Sequence, residues 1–250
     1  MEVAMRRLLP DQHELSLDDL YEGLTLPAGD ARPWVALGMV ATLDGAAAVD
    51  GATADLGGEA DGIAFRRLRG AADAILVGAG TVRDENYGPP SGTAERRSDR
   101  QTRGLAERPR LVIVTGSLNL PTDHRVFSDP DQRPLIVTHG QASPDAVGRL
   151  EEVADVLRVG EGTIDLEAAL IELGTRGLRR ILCEGGPSLN GALLAADLVD
   201  EVFLTISPVA AGGGTSRIIR SEVPEVAHRF AVASLYEHDG ELVVRYCRER

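Results

Sequence analysis

A carboxylate, two glycines and a proline stand together in Glu184-Gly185-Gly186-Pro187-Ser188. Ahead of them Ile181-Leu182-Cys183 is a short apolar run, the pattern of a strand buried on both faces. Behind them Leu189, Ala192, Leu193 and Ala196 recur at helical spacing. Proline suits a first helical turn, because its missing N–H would be unpaired there and its φ is already near helical. The glycines let the backbone turn tightly and approach a ligand with no Cβ in the way. A helix that starts this way aims unpaired N–H groups and its positive dipole end at the space above the strand, which suits a phosphate. Glu184, at the strand's carboxyl end, lies where ligands bind in open α/β sheets. Tight corners also need glycine for purely structural reasons, so the motif takes its meaning from its company.

Three other stretches carry candidate groups. The apolar run 34–41 ends in Thr42-Leu43-Asp44-Gly45, where Asp44 is either turn chemistry or a ligand. Residues 59–69 read as a helix with Ala60, Ala64 and Leu68 along one side. Arg66, Arg67 and Arg69 lie elsewhere on it, and a solvated face is the ordinary reading of such a cluster. Ala74-Ile75-Leu76-Val77 is another buried strand, followed by Gly78-Ala79-Gly80-Thr81-Val82. That second glycine-rich strand end could admit a cofactor, although its spacing is not the dinucleotide fingerprint.

The elements that position these groups alternate. Strands are expected at 111–114, ending in Thr115-Gly116-Ser117, and at 134–138, 156–159 and 202–206. Ser143-Pro144 and Asp165 open helices by capping preference. Two late strands flank Glu237-His238-Asp239-Gly240-Glu241, a hairpin signal. The pattern is that of an α/β domain, a mostly parallel sheet with helices on its faces and an antiparallel hairpin at the C-terminal end. Residues 1–32 read as a polar, irregular extension and 33–250 as one domain. The arginine-rich stretch 86–109 reads as a long loop, either a functional lid or disordered.

Composition narrows the partners. A net charge of −13 argues against nucleic acid and anionic membranes, and 43% hydrophobic content with 4% aromatic describes an aliphatic core. A bound dinucleotide then needs local arginines or backbone donors. The two cysteines, Cys183 and Cys247, give neither a disulfide framework nor a metal spacing. Without a signal peptide or a membrane-length apolar run, a cytoplasmic protein is expected.

In order along the chain, several motifs resemble the pyrimidine reductases of riboflavin biosynthesis. Ala41-Thr42-Leu43-Asp44-Gly45 is similar to that family's first strand-to-turn motif, and 72–82 to its central signature. Glu184-Gly185-Gly186-Pro187-Ser188-Leu189, Leu198-Val199-Asp200-Glu201, Ile206-Ser207-Pro208 and Gly212-Gly213-Gly214 resemble its last third. The resemblance implies a three-layer, dihydrofolate-reductase-like fold, NADPH as cofactor, a small-molecule substrate and a homodimer. It implies cofactor contacts from Val40, Ala41, Gly80, Thr81, Val82, Thr115, Gly116, Ser117, Gly185, Gly186, Pro187, Ser188, Leu189 and Asn190. It implies substrate contacts from Arg69, Thr53, Asp44 and Glu184, with Glu184 and Glu85 as the catalytic carboxylates. Such a carboxylate would stabilise the iminium charge that grows on the substrate before hydride arrives. No metal is implied.

Departures from the family pattern fall on the substrate side. Gly38 stands in place of a lysine, Glu85 in place of an aspartate and Tyr87 in place of a proline. The arginine expected to grip the substrate phosphate has no match at Gly92, and Arg96 or Arg97 is the nearest substitute. For the cofactor's 2′-phosphate, Ser117 with Arg83 or Arg125 is the candidate cluster. Three functions remain open on this reading. They are hydride transfer from NADPH to a diaminopyrimidine ribosylamino phosphate, reduction of dihydrofolate or another pterin, and non-catalytic nucleotide binding.

Overall fold

The computed structural model describes residues 5–49, 56–214, 216–221 and 227–250. Two short strands lead, β1 (Met5–Leu9) and β2 (His13–Leu15), before the long β3 (Trp34–Ala41). Helices and strands then alternate through α1 (Glu59–Ala71), β4 (Ala74–Gly78), α2 (Ala79–Asp84), α3 (Ala94–Thr102), β5 (Arg110–Val114) and β6 (Leu135–Thr138). They continue with α4 (Pro144–Glu151), β7 (Asp155–Arg158), α5 (Leu166–Thr175), β8 (Arg180–Cys183) and α6 (Pro187–Ala195). Strands β9 (Glu201–Ile206), β10 (Phe230–His238) and β11 (Glu241–Arg248) follow.

Eleven strands form one sheet in the order β2-β1-β10-β11-β9-β3-β8-β4-β5-β6-β7. From β9 through to β7 every pairing is parallel, and from β2 to β9 every pairing is antiparallel. The central strands are apolar throughout because side chains alternate between two covered faces. In β4, Ala74 and Leu76 pack with Leu173 of α5 and Leu193 of α6. Ile75 and Val77 pack on the other side with Val147 and Leu150 of α4. In β8, Ile181 and Cys183 join the first of these cores, while Leu182 meets Ile63 and Leu68 of α1. The three-layer expectation holds. The hairpin also forms where Asp239-Gly240 placed it, with φ of 48° and 81° at those two residues, the positive values that a two-residue turn matching strand twist requires.

Residues 5–21 are not irregular. β1 pairs antiparallel with β10, placing Arg6 opposite Glu237 and Arg7 opposite Tyr236. Tyr21 then packs edge-on against Phe203 at 5.4 Å and Tyr236 at 5.5 Å. The segment closes the α1 side of the sheet where the antiparallel strands would otherwise lie bare. Its five- and three-residue strands are too short and too polar for periodicity to reveal, and the sheet edge supplies the missing order.

Nor is 86–109 a bare loop. Thr93 caps α3 by accepting from the Arg96 N–H at 3.3 Å, and the helix's one buried side chain is Arg100. An apolar stripe never appears, so hydrophobic periodicity could not find this helix. Arg100 Nη1 donates to the carbonyls of Arg69, Gly70 and Ala72 at 2.7, 3.2 and 2.8 Å, and Nε donates to Ala106 O at 2.9 Å. Those carbonyls end α1 and have no partner within it. Burial lowers the Arg100 guanidinium to about 10, which leaves it charged at neutral pH. Arg100 thereby fixes where α1 stops and where Arg69 projects.

Candidate functional site

Parallel topology gathers residues far apart in sequence along one edge. β3, β8, β4 and β5 are neighbours running in the same direction, so Val40-Ala41, Glu184-Gly185, Gly78-Ala79 and Thr115-Gly116 all fall at carboxyl ends on the same side. Two of these ends meet as a glycine corner. The Gly78 N–H donates to Gly185 O at 2.7 Å, and Gly185 has φ 92°, where other residues are strained. A Cβ on Gly186 would stand 2.6 Å from Thr81 Oγ1. No side chain caps the start of α6 or of α2.

Beside this corner opens a cleft of about 310 Å³, walled by Val40, Asp61, Arg69, Thr81, Glu85 and Glu184 among others. Its floor is a three-residue cluster. Arg69 Nε and Nη2 donate to the two Glu184 carboxylate oxygens at 2.7 and 2.8 Å, a bidentate pair. The Tyr87 hydroxyl donates to Glu184 Oε2 as well. The Glu184 side chain is 2% exposed and that of Arg69 46%, so the pair points its cation outward. Burial opposes the charge on Arg69, but the Glu184 hydrogen bond and charge outweigh it and the net shift is upward. Burial, then the Glu184 charge, push the Tyr87 hydroxyl well above its ordinary value, so it keeps its proton. Tyr87, in the sequence only a replaced proline, is a component of the site.

Other expected residues divide. Glu85 lines the cleft, and its side chain makes no hydrogen bond or ion pair among the described residues. Asp44 does not line it. Its carboxylate accepts from Thr42 Oγ1 at 2.5 Å and from the N–H groups of Ala211 and Gly212 at 3.1 and 2.7 Å. Those bonds hold the carboxyl down to about 2, and Asp44 pins one loop to another. Thr53 lies outside the described residues. Val82 is a core residue, fully buried with Ile75 and Ile113. Asn190 is buried too. Its Nδ2 donates to Ile218 O at 2.8 Å, and its Oδ1 accepts from Cys183 Sγ at 3.4 Å, which ties α6 to the strap that follows β9. Ser117 Oγ accepts from the Asn119 N–H at 3.4 Å, and Arg83 Nη1 donates to Asn119 O at 2.8 Å. Arg125 is held at Asn86 O.

A larger groove, about 1040 Å³, runs between α1 and α3 and shares only Arg69 with the cleft. Arg97 there is committed to Glu107 at 2.7 Å and Gly92 O at 3.0 Å. Arg96, exposed on the same groove, makes no side-chain hydrogen bond or ion pair among the described residues. Among the described residues no cluster suited to a metal ion occurs, and no helix is long and apolar enough to cross a membrane.

The chain is 33% identical over 186 residues to the 2,5-diamino-6-ribosylamino-4(3H)-pyrimidinone 5′-phosphate reductase of Archaeoglobus fulgidus, covering 74% of this chain and 84% of that protein. It is 31% identical over 220 residues to the reductase of the same name from Methanothermobacter thermautotrophicus, covering 86% and 98%. In three dimensions it resembles a pyrimidine reductase-like protein of Corynebacterium diphtheriae with a TM-score of 0.83 at 28% identity, over 94% of this chain and 100% of that one. Residues 33–244 match the family described as the RibD C-terminal domain, and the chain belongs to that family.

Proposed function

We propose that this protein is a riboflavin-pathway reductase that transfers hydride from NADPH to C1′ of a diaminopyrimidine ribosylamino phosphate. The observation that carries the reading is one cleft bordered on one side by Val40 and Thr81 at the glycine corner, and on the other by the Arg69–Glu184–Tyr87 cluster. Donor and acceptor would share this cleft, and orienting them is the protein's main contribution. When bound, the cofactor supplies the hydride. Glu184 is placed to face the cation that develops at the substrate carbon, with Tyr87 and Arg69 holding its carboxylate in one orientation. Glu85 adds a second carboxylate, with no hydrogen-bond or ion-pair partner among the described residues. The outward part of Arg69 opens on the groove, where Arg96 is a cation available for the substrate phosphate.

The glycine corner fits a dinucleotide phosphate, because side chains are missing where the two helix starts converge. We assign the cofactor to Val40, Ala41, Gly80, Thr81, Thr115, Gly116, Ser117 and the 185–189 turn, with Val82 and Asn190 as supports rather than contacts. A valine at Gly186 fills the corner against Thr81, so Gly186→Val is expected to weaken NADPH binding at least tenfold, about 1.4 kcal/mol. A folded variant with an unchanged NADPH titration removes this assignment.

Ser117 and Arg83 converge on Asn119, a hydroxyl and a cation at one strand end in an otherwise acidic protein. NADPH is therefore expected to exceed NADH in kcat/KM by tenfold or more, with Arg83→Ala erasing most of the difference. Equal use of both cofactors by the wild type refutes it. We carry the homodimer forward from the family resemblance; a sedimentation mass at the monomer value of 26.6 kDa overturns it. The test of the function is NADPH oxidation with the ribosylamino phosphate and with dihydrofolate in parallel. Turnover of dihydrofolate alone replaces the substrate, and tight NADPH binding without turnover replaces the activity.

A further inference from the structure

The cleft holds a second kind of carboxyl group that the reading above leaves idle. Asp61 sits in the first turn of α1 and lines the cleft with Glu85 and Glu184. Among the described residues Arg69 is the only cation in that lining, and Glu184 holds it through two hydrogen bonds. At Gly38, on the adjacent strand, there is no side chain to offer another. Asp61 Oδ1 is buried and accepts no hydrogen bond among the described residues.

The surroundings of Asp61 come from several elements. Glu241 of β11, 5% exposed, accepts the Gly58 N–H at 2.6 Å just before α1 begins. Thr205 of β9 approaches from the sheet, and His238 pairs with Glu241 across the hairpin. Across the cleft stand Glu85 and the Arg69–Glu184–Tyr87 cluster. On α1 itself Glu59 precedes Asp61 and Arg66 follows it. Burial first, and the Glu241 charge after it, raise the Asp61 carboxyl to about 6, with Thr205 pulling the other way. Glu184 is therefore matched by a cation and Asp61 is not. Environments that differ in this way separate an anion from an acid.

We propose that Asp61 is a catalytic residue of this cleft, the acid that protonates the sugar ring oxygen as the ribosylamine opens. This rests on the reading that the substrate is an N-glycosidic ribosylamine. The C1′–oxygen bond breaks and its electron pair goes to the ring oxygen, which takes the Asp61 proton and becomes a hydroxyl. The nitrogen lone pair forms the C1′=N bond, and hydride from NADPH then adds to C1′. Asp61 recovers its proton from solvent, so each turnover consumes one hydride and one proton.

The experiment is the pH dependence of kcat at saturating NADPH and ribosylamino phosphate, for wild type, Asp61→Asn and Glu241→Gln. The acid form is present below its pKa, so wild-type kcat should fall as pH rises through about 6. Asp61→Asn should lower kcat about 100-fold and flatten that limb, with NADPH affinity unchanged. Glu241→Gln removes one of the two causes of the raised value and should move the midpoint to lower pH. Folding is checked independently. A carboxyl raised on folding stabilises the native state at low pH and loses that contribution as pH rises through about 6. Asp61→Asn should therefore melt above wild type at pH 8 but not at pH 4. If Asp61→Asn does not fold, the Glu241→Gln midpoint decides, and an unmoved midpoint overturns the proposal. An active Asp61→Asn enzyme with the wild-type profile overturns it too. Absence of ribosylamine turnover in the wild type sinks the substrate reading instead.

Discussion

Glu184→Gln is expected to lower kcat and kcat/KM together by about 100-fold or more, while NADPH affinity changes less than about threefold. The carboxylate is 2% exposed, and a fixed charge so shielded from solvent acts far more strongly than in bulk water. Glutamine keeps the size and one acceptor oxygen but turns an amide N–H towards Arg69 or Tyr87, both of which are donors here. The change should also cost stability, because removing one partner of a buried pair leaves the other uncompensated. Arg69 is nearly half exposed, so solvent relieves part of that penalty and the cost belongs at the low end, about 2 kcal/mol. Steady-state kinetics beside a cofactor titration separate the two effects. Full turnover would make Glu184 a structural brace and remove it from the mechanism. Tyr87→Phe is the milder companion, since it deletes one donor to the same carboxylate and leaves the ion pair.

Arg100→Ala should destabilise the protein by about 3 to 5 kcal/mol, a fall in Tm of roughly 10 °C for a chain of this size. The side chain is 4% exposed and serves four backbone carbonyls, three of them at the end of α1. Deleting it leaves those acceptors buried without a donor and opens a cavity between α1 and α3. Arg100→Lys keeps the charge but loses the planar fork, so it should recover less than half of the loss. Arg69 hangs from the segment that Arg100 anchors, and kcat/KM should fall even at temperatures where the variant is folded. A Tm within 2 °C of wild type would show that water replaces the guanidinium and that α1 needs no such cap.

Arg100 also marks where local sequence information ends. Apolar runs at 34–41, 74–77, 111–114 and 181–183 could be read directly, because a strand covered on both faces admits little else. The Gly185-Gly186-Pro187 corner and the Asp239-Gly240 turn could be read for the same kind of reason, since each depends on the φ that its own residues permit. Helix α3 could not, because its buried face is one arginine whose partners are carbonyls about thirty residues away. β1 could not either, because its order comes from β10, more than two hundred residues further on.

The site divides along the same line. The sequence by itself determined that a carboxylate sits on a glycine turn before a helix, that an arginine ends another helix, and that several glycine-rich strand ends exist. Only the tertiary structure decided that these belong to one cleft, because four parallel strands deliver residues near 40, 80, 115 and 185 to a single edge. It also decided roles that residue type leaves open. Asp44 became a loop tie because three donors surround it, and Glu184 became a matched anion because Arg69 and Tyr87 reach it. Asp61 became a carboxyl without a cation because Glu184 holds Arg69, and its Oδ1 accepts no hydrogen bond among the described residues. A carboxylate's charge state depends on the burial, donors and charges around it, and those neighbours are fixed by chain crossings that no local stretch of sequence encodes.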